Sequence, residues 1–218
     1  MTLKEFIKAW PILMGQVKSL HVPWLDQVAS EERDPFKVLI SCILSLRTQD
    51  KVTGEASRRL FQLAETPETL SKLTVQKIEK AIYPVGFYRV KARNVKAISA
   101  ELMKKHHGKV PDTIDELLTF KGVGRKTANL VVTLGYNKDG ICVDTHVHRI
   151  PNRWGLIKTK TPHETEFALR EILPVRYWKE LNSNLVAFGQ GICRPISPLC
   201  SRCRIRPACD RVGVVQSR

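Results

Sequence analysis

The stretch FKGVGRKTANLVV, Phe120 to Val132, places two glycines, an arginine and a lysine directly before an apolar run. Glycine adopts positive φ without strain and lets the backbone approach a bound group closely. The start of a helix offers N–H groups and the positive end of the helix dipole, which both favour a phosphate. The stretch therefore predicts a tight turn into a helix that binds an anion, and Arg125 adds positive charge there.

The residues on either side of this turn also read as helical. One apolar segment ends at Leu117-Leu118, a turn follows in the sequence KGVG, and the next helical segment begins with RKTANLVVTLGY. Residues 113–137 therefore predict a helix-hairpin-helix. Such a hairpin can hold a phosphate through its backbone N–H groups without reading base sequence. An ordinary glycine-rich turn between two helices is the structural alternative.

The charge of the chain points to a polyanionic partner. Among 218 residues, 36 are Lys or Arg and 21 are Asp or Glu, which gives a formal charge of +15 and a pI near 9.8. Nucleic acid or an anionic membrane surface would suit this surplus. No apolar run approaches the roughly 18 residues of a spanning helix, and Lys4, Glu5 and Lys8 interrupt the first segment. We therefore expect no membrane partner and a cytoplasmic location, near the nucleoid in a bacterium.

Helical periodicity dominates the rest of the chain, and helix-start signals recur at Asp34-Pro35, Thr66-Pro67 and Thr161-Pro162. Pro11 is expected to kink or break the first helix. No alternating strand is evident, so the chain predicts an all-α fold of about ten helices. The segments with helical spacing are 3–20, 36–46, 50–62, 88–107, 125–137, 145–154, 162–173 and 176–189.

Four cysteines near the C-terminus follow the pattern C-x6-C-x2-C-x5-C and are predicted to be metal ligands: Cys193, Cys200, Cys203 and Cys209. Zinc sites usually combine two short Cys-x-x-Cys pairs, and only one such pair occurs here. The uneven spacing favours a [4Fe–4S] cluster over zinc, with uncoordinated cysteines as the third interpretation. Arginines also surround the ligands and could contact phosphate, at Arg194, Arg202, Arg204 and Arg206.

Lys126 and Asp144 are the candidate catalytic residues. Lys126 falls in the first turn of a predicted helix beside Arg125, and both the dipole and the neighbouring charge should lower its pKa. A neutral amine is a nucleophile that can form a Schiff base, although a second phosphate-binding lysine is the alternative. In GICVDTHVHRI, Asp144 could cap a helix, accept a proton and stabilise a developing cation. His146 and His148 are interpreted as helix-surface or phosphate-contacting groups.

The combination of GVGRKTAN, VDTHVHR and the cysteine pattern resembles endonuclease III, from about Asp34 to Cys209. The resemblance implies a DNA glycosylase with a six-helix barrel lobe at about 28–138 and a cluster-bearing lobe formed by 1–27 and 139–218. Damaged duplex DNA would lie in a cleft between the lobes, with one nucleotide flipped out of the stack. The protein would act as a monomer, with a monovalent cation at the hairpin carbonyls.

By position, Lys126 matches the family's catalytic lysine and Asp144 its catalytic aspartate. The implied reaction is removal of an oxidised pyrimidine through a Schiff base, followed by β-elimination of the 3′ phosphate. Lys126 disfavours a monofunctional mismatch glycosylase, and the pair disfavours a non-catalytic iron–sulfur DNA-binding protein. The DNA contacts expected on this reading are Arg47, Gln49, Phe87, Tyr88, Lys121, Gly122, Val123, Gly124, Arg125, Thr127 and His146.

Two positions depart from the family pattern. Lys121 stands where members of the family often have proline. Arg47 stands where they commonly have a glutamine, whose side chain fills the space that the flipped base leaves in the stack. The loop PVGFYRVKARN, Pro84 to Asn94, is expected to supply an intercalating wedge through Phe87 or Tyr88. Either ring could instead be part of the core.

Overall fold

The computed structural model describes residues 1–20 and 33–218, and every regular element in these ranges is helical. The chain forms two compact units, a central unit (Trp24–Lys138) and a split unit (Met1–Pro23 with Asp139–Arg218). The predicted all-α class is therefore confirmed over the described residues. The lobe border predicted at residues 27 and 28 lies outside them.

The elements, in chain order, are α1 (Leu3–Val17), α2 (Pro35–Ser45), α3 (Asp50–Leu63), α4 (Pro67–Lys72), α5 (Val75–Ile82), α6 (Tyr88–His106), α7 (Ile114–Leu118), α8 (Arg125–Leu130), a π-helical turn (Val131–Gly135), α9 (Thr145–Trp154), α10 (Pro162–Ile172), a 3₁₀ turn (Val175–Tyr177), α11 (Trp178–Gly191) and two further 3₁₀ turns (Cys200–Arg202 and Arg206–Ala208). None of the helices in the described ranges is both long and apolar enough to cross a membrane.

Helix α2 forms the core of the central unit. Eight of its eleven residues are buried, as expected for a helix that is apolar on all sides. Asp34 starts it as predicted, because its side chain accepts hydrogen bonds from the N–H groups of Phe36 (2.8 Å) and Lys37 (3.3 Å). Helices α3, α6, α8 and the π-helical turn pack around α2.

The short helices α4 and α5 begin at threonine caps. Thr66 and Thr69 form a reciprocal capping box at the Thr66-Pro67 signal, and Thr74 caps α5. The Thr66-Pro67 signal indicated the start of α4 in the sequence, whereas α5 was not predicted although Ile78, Ala81 and Ile82 have helical spacing.

The helix predicted for residues 125–137 changes register after Leu130. The last turn is π-helical, from Val131 to Gly135. A Cβ built on Gly135 would lie 2.9 Å from the Cα of Pro35. Glycine at this position therefore allows the start of α2 to approach the π-helical turn.

The split unit packs its helices around aromatic side chains. Phe6 and Trp10 on α1 contact the ring of Tyr177, and Trp154 on α9 contacts Phe188 on α11. The apolar face of α1 meets this cluster, which holds the helix in place.

Pro11 does not break α1, contrary to one of the two expected outcomes. The helix runs without interruption from Leu3 to Val17. Pro11 is exposed, so the carbonyl that its missing N–H leaves unpaired can be hydrated.

Candidate nucleic-acid interface and active-site residues

The turn between α7 and α8 has the predicted hairpin form. Gly122 has φ +86°, and a Cβ there would lie 2.8 Å from Nδ2 of Asn94 on α6. The N–H of Val123 donates to the carbonyl of Phe120 at 3.1 Å, which closes the turn. Glycine at position 122 therefore meets both a conformational and a steric requirement.

The hairpin residues differ in what they can present to a ligand. Lys121, Gly122 and Gly124 are exposed. The side chains of Val123 and Thr127 are buried, at 7 % and 2 % exposure. Val123 and Thr127 can therefore reach DNA only through backbone atoms, while the lysine and the two glycines form the outer surface.

Lys126 lies in the first turn of α8, immediately after Arg125. Both side chains are half-buried. Gly124 precedes the helix and offers no side-chain cap. Two cations therefore stand at the positive end of a helix dipole, where an anion such as a phosphate would be stabilised.

Asp144 starts α9 in the split unit and is half-buried. Its Oδ1 accepts hydrogen bonds from the backbone N–H groups of His146 and Val147, both at 2.8 Å. The predicted N-cap is therefore present. Because both cap bonds use Oδ1, Oδ2 is the oxygen that can act on another group.

The two histidines of VDTHVHR pack within the split unit. The ring of His146 lies against Gly189 on α11, where a Cβ would be 2.1 Å from Nδ1, and Arg149 contacts the same nitrogen at 3.1 Å. Nδ1 of His148 lies 2.7 Å from Oγ1 of Thr165 on α10. Both rings therefore have packing or hydrogen-bonding roles in the fold.

Arg47 and Phe87, expected separately to contact DNA, contact each other in the central unit. The Arg47 guanidinium carbon lies 5.8 Å from the centre of the Phe87 ring. Arg47 is exposed and Phe87 is 62 % exposed. Gln49 is also exposed and directly precedes α3.

Tyr88 is more enclosed than Phe87. It is half-buried, and its ring meets that of Tyr83 edge-on at 5.4 Å. Of the two wedge candidates, Phe87 therefore presents the more accessible ring.

Lys91 is a residue that the sequence analysis missed. It lies on α6 and is only 5 % exposed. Its Nζ donates to the carbonyls of Leu44 (2.8 Å) and Leu46 (2.5 Å) and to Oγ1 of Thr48 (3.1 Å). Burial lowers the pKa of Lys91 to about 8. The sequence did contain a signal of this burial, because Lys91 lies four residues before the buried Val95 and therefore on the same face of the helix.

All four predicted cysteine ligands line one pocket in the split unit. Trp154, Phe188 and Ile192 make much of its remaining wall apolar. Burial raises the pKa of the Cys203 thiol to about 11 and also raises the pKa values of Cys193 and Cys209. Without a bound metal, these thiols are therefore stable in the protonated form.

Two arginines on α9 approach the first of these cysteines. Arg153 is buried and donates to Sγ of Cys193 at 3.3 Å and to the carbonyl of Arg194 at 2.8 Å. Arg149 donates to the carbonyl of Cys193 at 2.8 Å. These charged donors would stabilise a thiolate at position 193.

In residues 1–20 and 33–218, no group of three or more His, Cys, Asp or Glu side chains is arranged to hold a metal ion. A single zinc ion with Zn–S bonds of about 2.3 Å would require its sulfurs to lie close together. In a cubane cluster each thiolate binds a different iron, so the sulfurs surround a larger volume. All four thiols line one pocket with largely apolar walls, an arrangement that is compatible with a shared metal centre.

Comparisons with known proteins identify the family of this chain. Residues 40–175 match the HhH-GPD superfamily base excision DNA repair proteins. Endonuclease III of Thermotoga maritima is 47% identical over 180 residues, which cover 83% of this chain and 84% of that protein. Endonuclease III homolog 2, chloroplastic, of Arabidopsis thaliana is 45% identical over 80% of this chain, which spans about half (47%) of the plant protein.

Among solved structures, endonuclease III trapped as a covalent intermediate with DNA superposes with a TM-score of 0.86. It is 31% identical, and the match covers 97% of each chain. The chain therefore belongs to the endonuclease III family within the HhH-GPD superfamily of base excision DNA repair proteins.

Proposed function

We propose that this base excision repair DNA glycosylase and apurinic/apyrimidinic (AP) lyase removes oxidised pyrimidines with Lys126 as its nucleophile. The observation that carries the proposal is the position of Lys126. In a member of this family, it stands in the first turn of α8, directly after the glycine turn. A lysine that bound only phosphate would account for the charge but not for lyase chemistry, which needs a covalent amine.

The reaction follows from the two candidate residues. The Lys126 amine attacks C1′ of the flipped nucleotide, the C1′–N bond breaks, and the base leaves with the bonding electrons and gains a proton. Opening of the sugar gives a Schiff base between Lys126 and C1′. Loss of a proton from C2′ then expels the 3′ phosphate by β-elimination, and water releases the lysine.

Asp144 assists the first of these steps. Oδ2 can accept a proton from the attacking amine, and the carboxylate charge stabilises the cation that develops on the sugar. The two cap bonds on Oδ1 fix the orientation of the carboxylate before the substrate arrives. Capping and catalysis are therefore compatible in one side chain.

DNA is held mainly through its phosphates. The exposed hairpin surface of Lys121, Gly122 and Gly124 offers backbone and charge without base-reading groups. The formal charge of +15 supplies the long-range attraction. In the central unit, Arg47 and Phe87 occupy the vacated stack, and the hairpin carbonyls are a candidate site for a monovalent cation.

The endonuclease III family suggests an iron–sulfur cluster, and Cys193, Cys200, Cys203 and Cys209 would hold a [4Fe–4S] cluster in this chain. The pocket that all four thiols line supports this assignment. When bound, the cluster would supply structural cross-linking of the C-terminal segment. The protein's own residues carry the reaction.

Borohydride trapping tests the nucleophile. With an abasic duplex, wild-type protein should form a covalent adduct, and Lys126→Gln should abolish the adduct while retaining DNA binding. Lys121→Gln is the matched control, since it removes a nearby hairpin charge and should still be trapped at saturating DNA. Trapping of Lys126→Gln at the wild-type level would refute the assignment. Base release without trapping by wild-type protein would indicate a monofunctional glycosylase.

A further inference from the structure

Two surface turns of the central unit are joined at Arg47 and Phe87. Both residues have left-handed backbone conformations, with φ of +53° and +58°. Non-glycine residues seldom adopt such values, and conformational strain of this kind concentrates at functional sites. The guanidinium and the ring meet at 5.8 Å, within the usual limit for a cation–π contact. Two exposed, strained residues thus form one pair.

Lys91 and Thr48 fix the backbone beneath this pair. Lys91 reaches the carbonyls of Leu44 and Leu46 at the C-terminal end of α2, where a cation also meets the negative end of the helix dipole. Its third hydrogen bond goes to Oγ1 of Thr48, which also accepts the N–H of Gly86 at 3.2 Å. One hydroxyl therefore links the turn that carries Arg47 to the turn that carries Phe87.

Gly86 lets the two turns approach. A Cβ there would lie 2.7 Å from the carbonyl oxygen of Arg47. The close approach, the shared hydroxyl and the buried ammonium group all constrain the same pair of turns. The core of α6 would not need a lysine at position 91, because an apolar side chain could fill the same space.

We propose that Arg47 and Phe87 enter the DNA stack as a single paired unit, and that Lys91 is the positioning residue that holds them in this arrangement through Thr48. The proposal rests on the proposed function, because it assumes that a nucleotide leaves the stack. With its face on the Phe87 ring, the guanidinium keeps its N–H edge for the base opposite the lesion. Phe87 then supplies the stacking surface, and its contact with Arg47 fixes where that edge points.

Insertion can be measured without chemistry. A duplex with a tetrahydrofuran abasic analogue opposite 2-aminopurine cannot be cleaved, and its fluorescence reports whether the 2-aminopurine is unstacked. Saturating wild-type protein should change this fluorescence. Thr48→Val keeps the side-chain shape but removes the shared hydroxyl, and Lys91→Met removes all three donors; both should lose most of the change while binding the duplex.

Lys96→Met is the matched control. Lys96 lies on the same helix and donates to a backbone carbonyl, that of Leu73, away from the two turns. It should keep the full fluorescence change. If Lys91→Met does not fold, Thr48→Val still tests the proposal, and a wild-type change in folded Thr48→Val would overturn the positioning role.

The pairing itself is tested by Arg47→Gln, Phe87→Ala and the double variant. If the two side chains act as one unit, the double variant should lose no more fluorescence change than the more affected single variant. Additive losses would show that they act independently. A wild-type protein that is trapped on abasic DNA but produces no fluorescence change would overturn this inference alone. A change without trapping or base release would refute the proposed chemistry instead.

Discussion

Replacing Asp144 by asparagine separates its two roles. Oδ1 accepts both cap bonds, from the N–H groups of His146 and Val147 at 2.8 Å. An asparagine can keep the same oxygen in the same place, because asparagine and aspartate are about equally good N-caps. The substitution therefore removes the negative charge and the proton acceptor while leaving the start of α9 in place.

The magnitudes of the two effects are well separated. Loss of the charge at the helix start should lower the free energy of unfolding by about 0.3–1 kcal/mol. Loss of proton transfer and of charge stabilisation should slow base release by roughly 10²-fold or more, equivalent to about 2.7 kcal/mol in the barrier. Asp144→Ala, which also removes the cap bonds, should cost about 1 kcal/mol of stability.

Single-turnover excision of an oxidised pyrimidine, together with denaturant unfolding, measures both quantities. Asp34→Asn is the matched control, because Asp34 caps α2 through the same two-bond arrangement. It should show a similar small loss of stability with near wild-type excision per folded molecule. If Asp144→Asn excises the base as fast as this control, Asp144 is only a cap and the catalytic reasoning is wrong.

Three further predictions concern other parts of the chain. Because arginine has only donors and guanine offers the acceptor O6, a lesion opposite guanine should be excised faster than one opposite adenine, with a barrier lower by roughly 1–3 kcal/mol. Arg47→Gln should reduce the ratio of the two single-turnover rates. An unchanged ratio with weaker binding to both duplexes would instead place Arg47 on a phosphate. Purified protein should be yellow-brown with about four irons per chain. Cys203→Ser should lower the iron content, the soluble yield and the affinity for DNA. A colourless protein with one zinc ion per chain would contradict the cluster. Burial lowers the pKa of Lys91 to about 8, so between pH 8 and about 10.4 the unfolded chain binds more protons than the folded protein, and the free energy of unfolding should rise over this window by at most about 3 kcal/mol. Denaturant unfolding of Lys91→Met should lack that rise. Equal pH dependence in the wild type and the variant would refute the prediction.

The local signals in the sequence predicted the helix starts well. Asp34, Asp144 and Thr161 each accept backbone hydrogen bonds at the beginning of a helix. These signals are reliable because a cap depends on a few neighbouring residues. The order of the elements and the all-α class follow from the same local information together with the apolar period.

Features that depend on tertiary packing could not be predicted from short stretches of sequence. The π-helical turn at Val131–Gly135 accompanies a close approach to Pro35, which is distant in the sequence. Pro11 has the residue type of a helix breaker, yet α1 continues because its apolar face is held by aromatic contacts. In both cases tertiary contacts override a local preference.

The Arg47–Phe87 pair shows the same limit at the candidate site. The sequence indicated each residue as a DNA contact, but not their left-handed φ values, their mutual contact or the hydrogen bond from Lys91 to Thr48 beneath them, because these join two segments that are distant in the sequence. A buried lysine in the first turns of α6 resembles an ordinary helix lysine until its acceptors are known. Those acceptors are carbonyls at the end of α2, which no side-chain pattern reveals. A change in lesion preference could therefore arise from a substitution at Lys91 or Thr48 as readily as from one at Arg47.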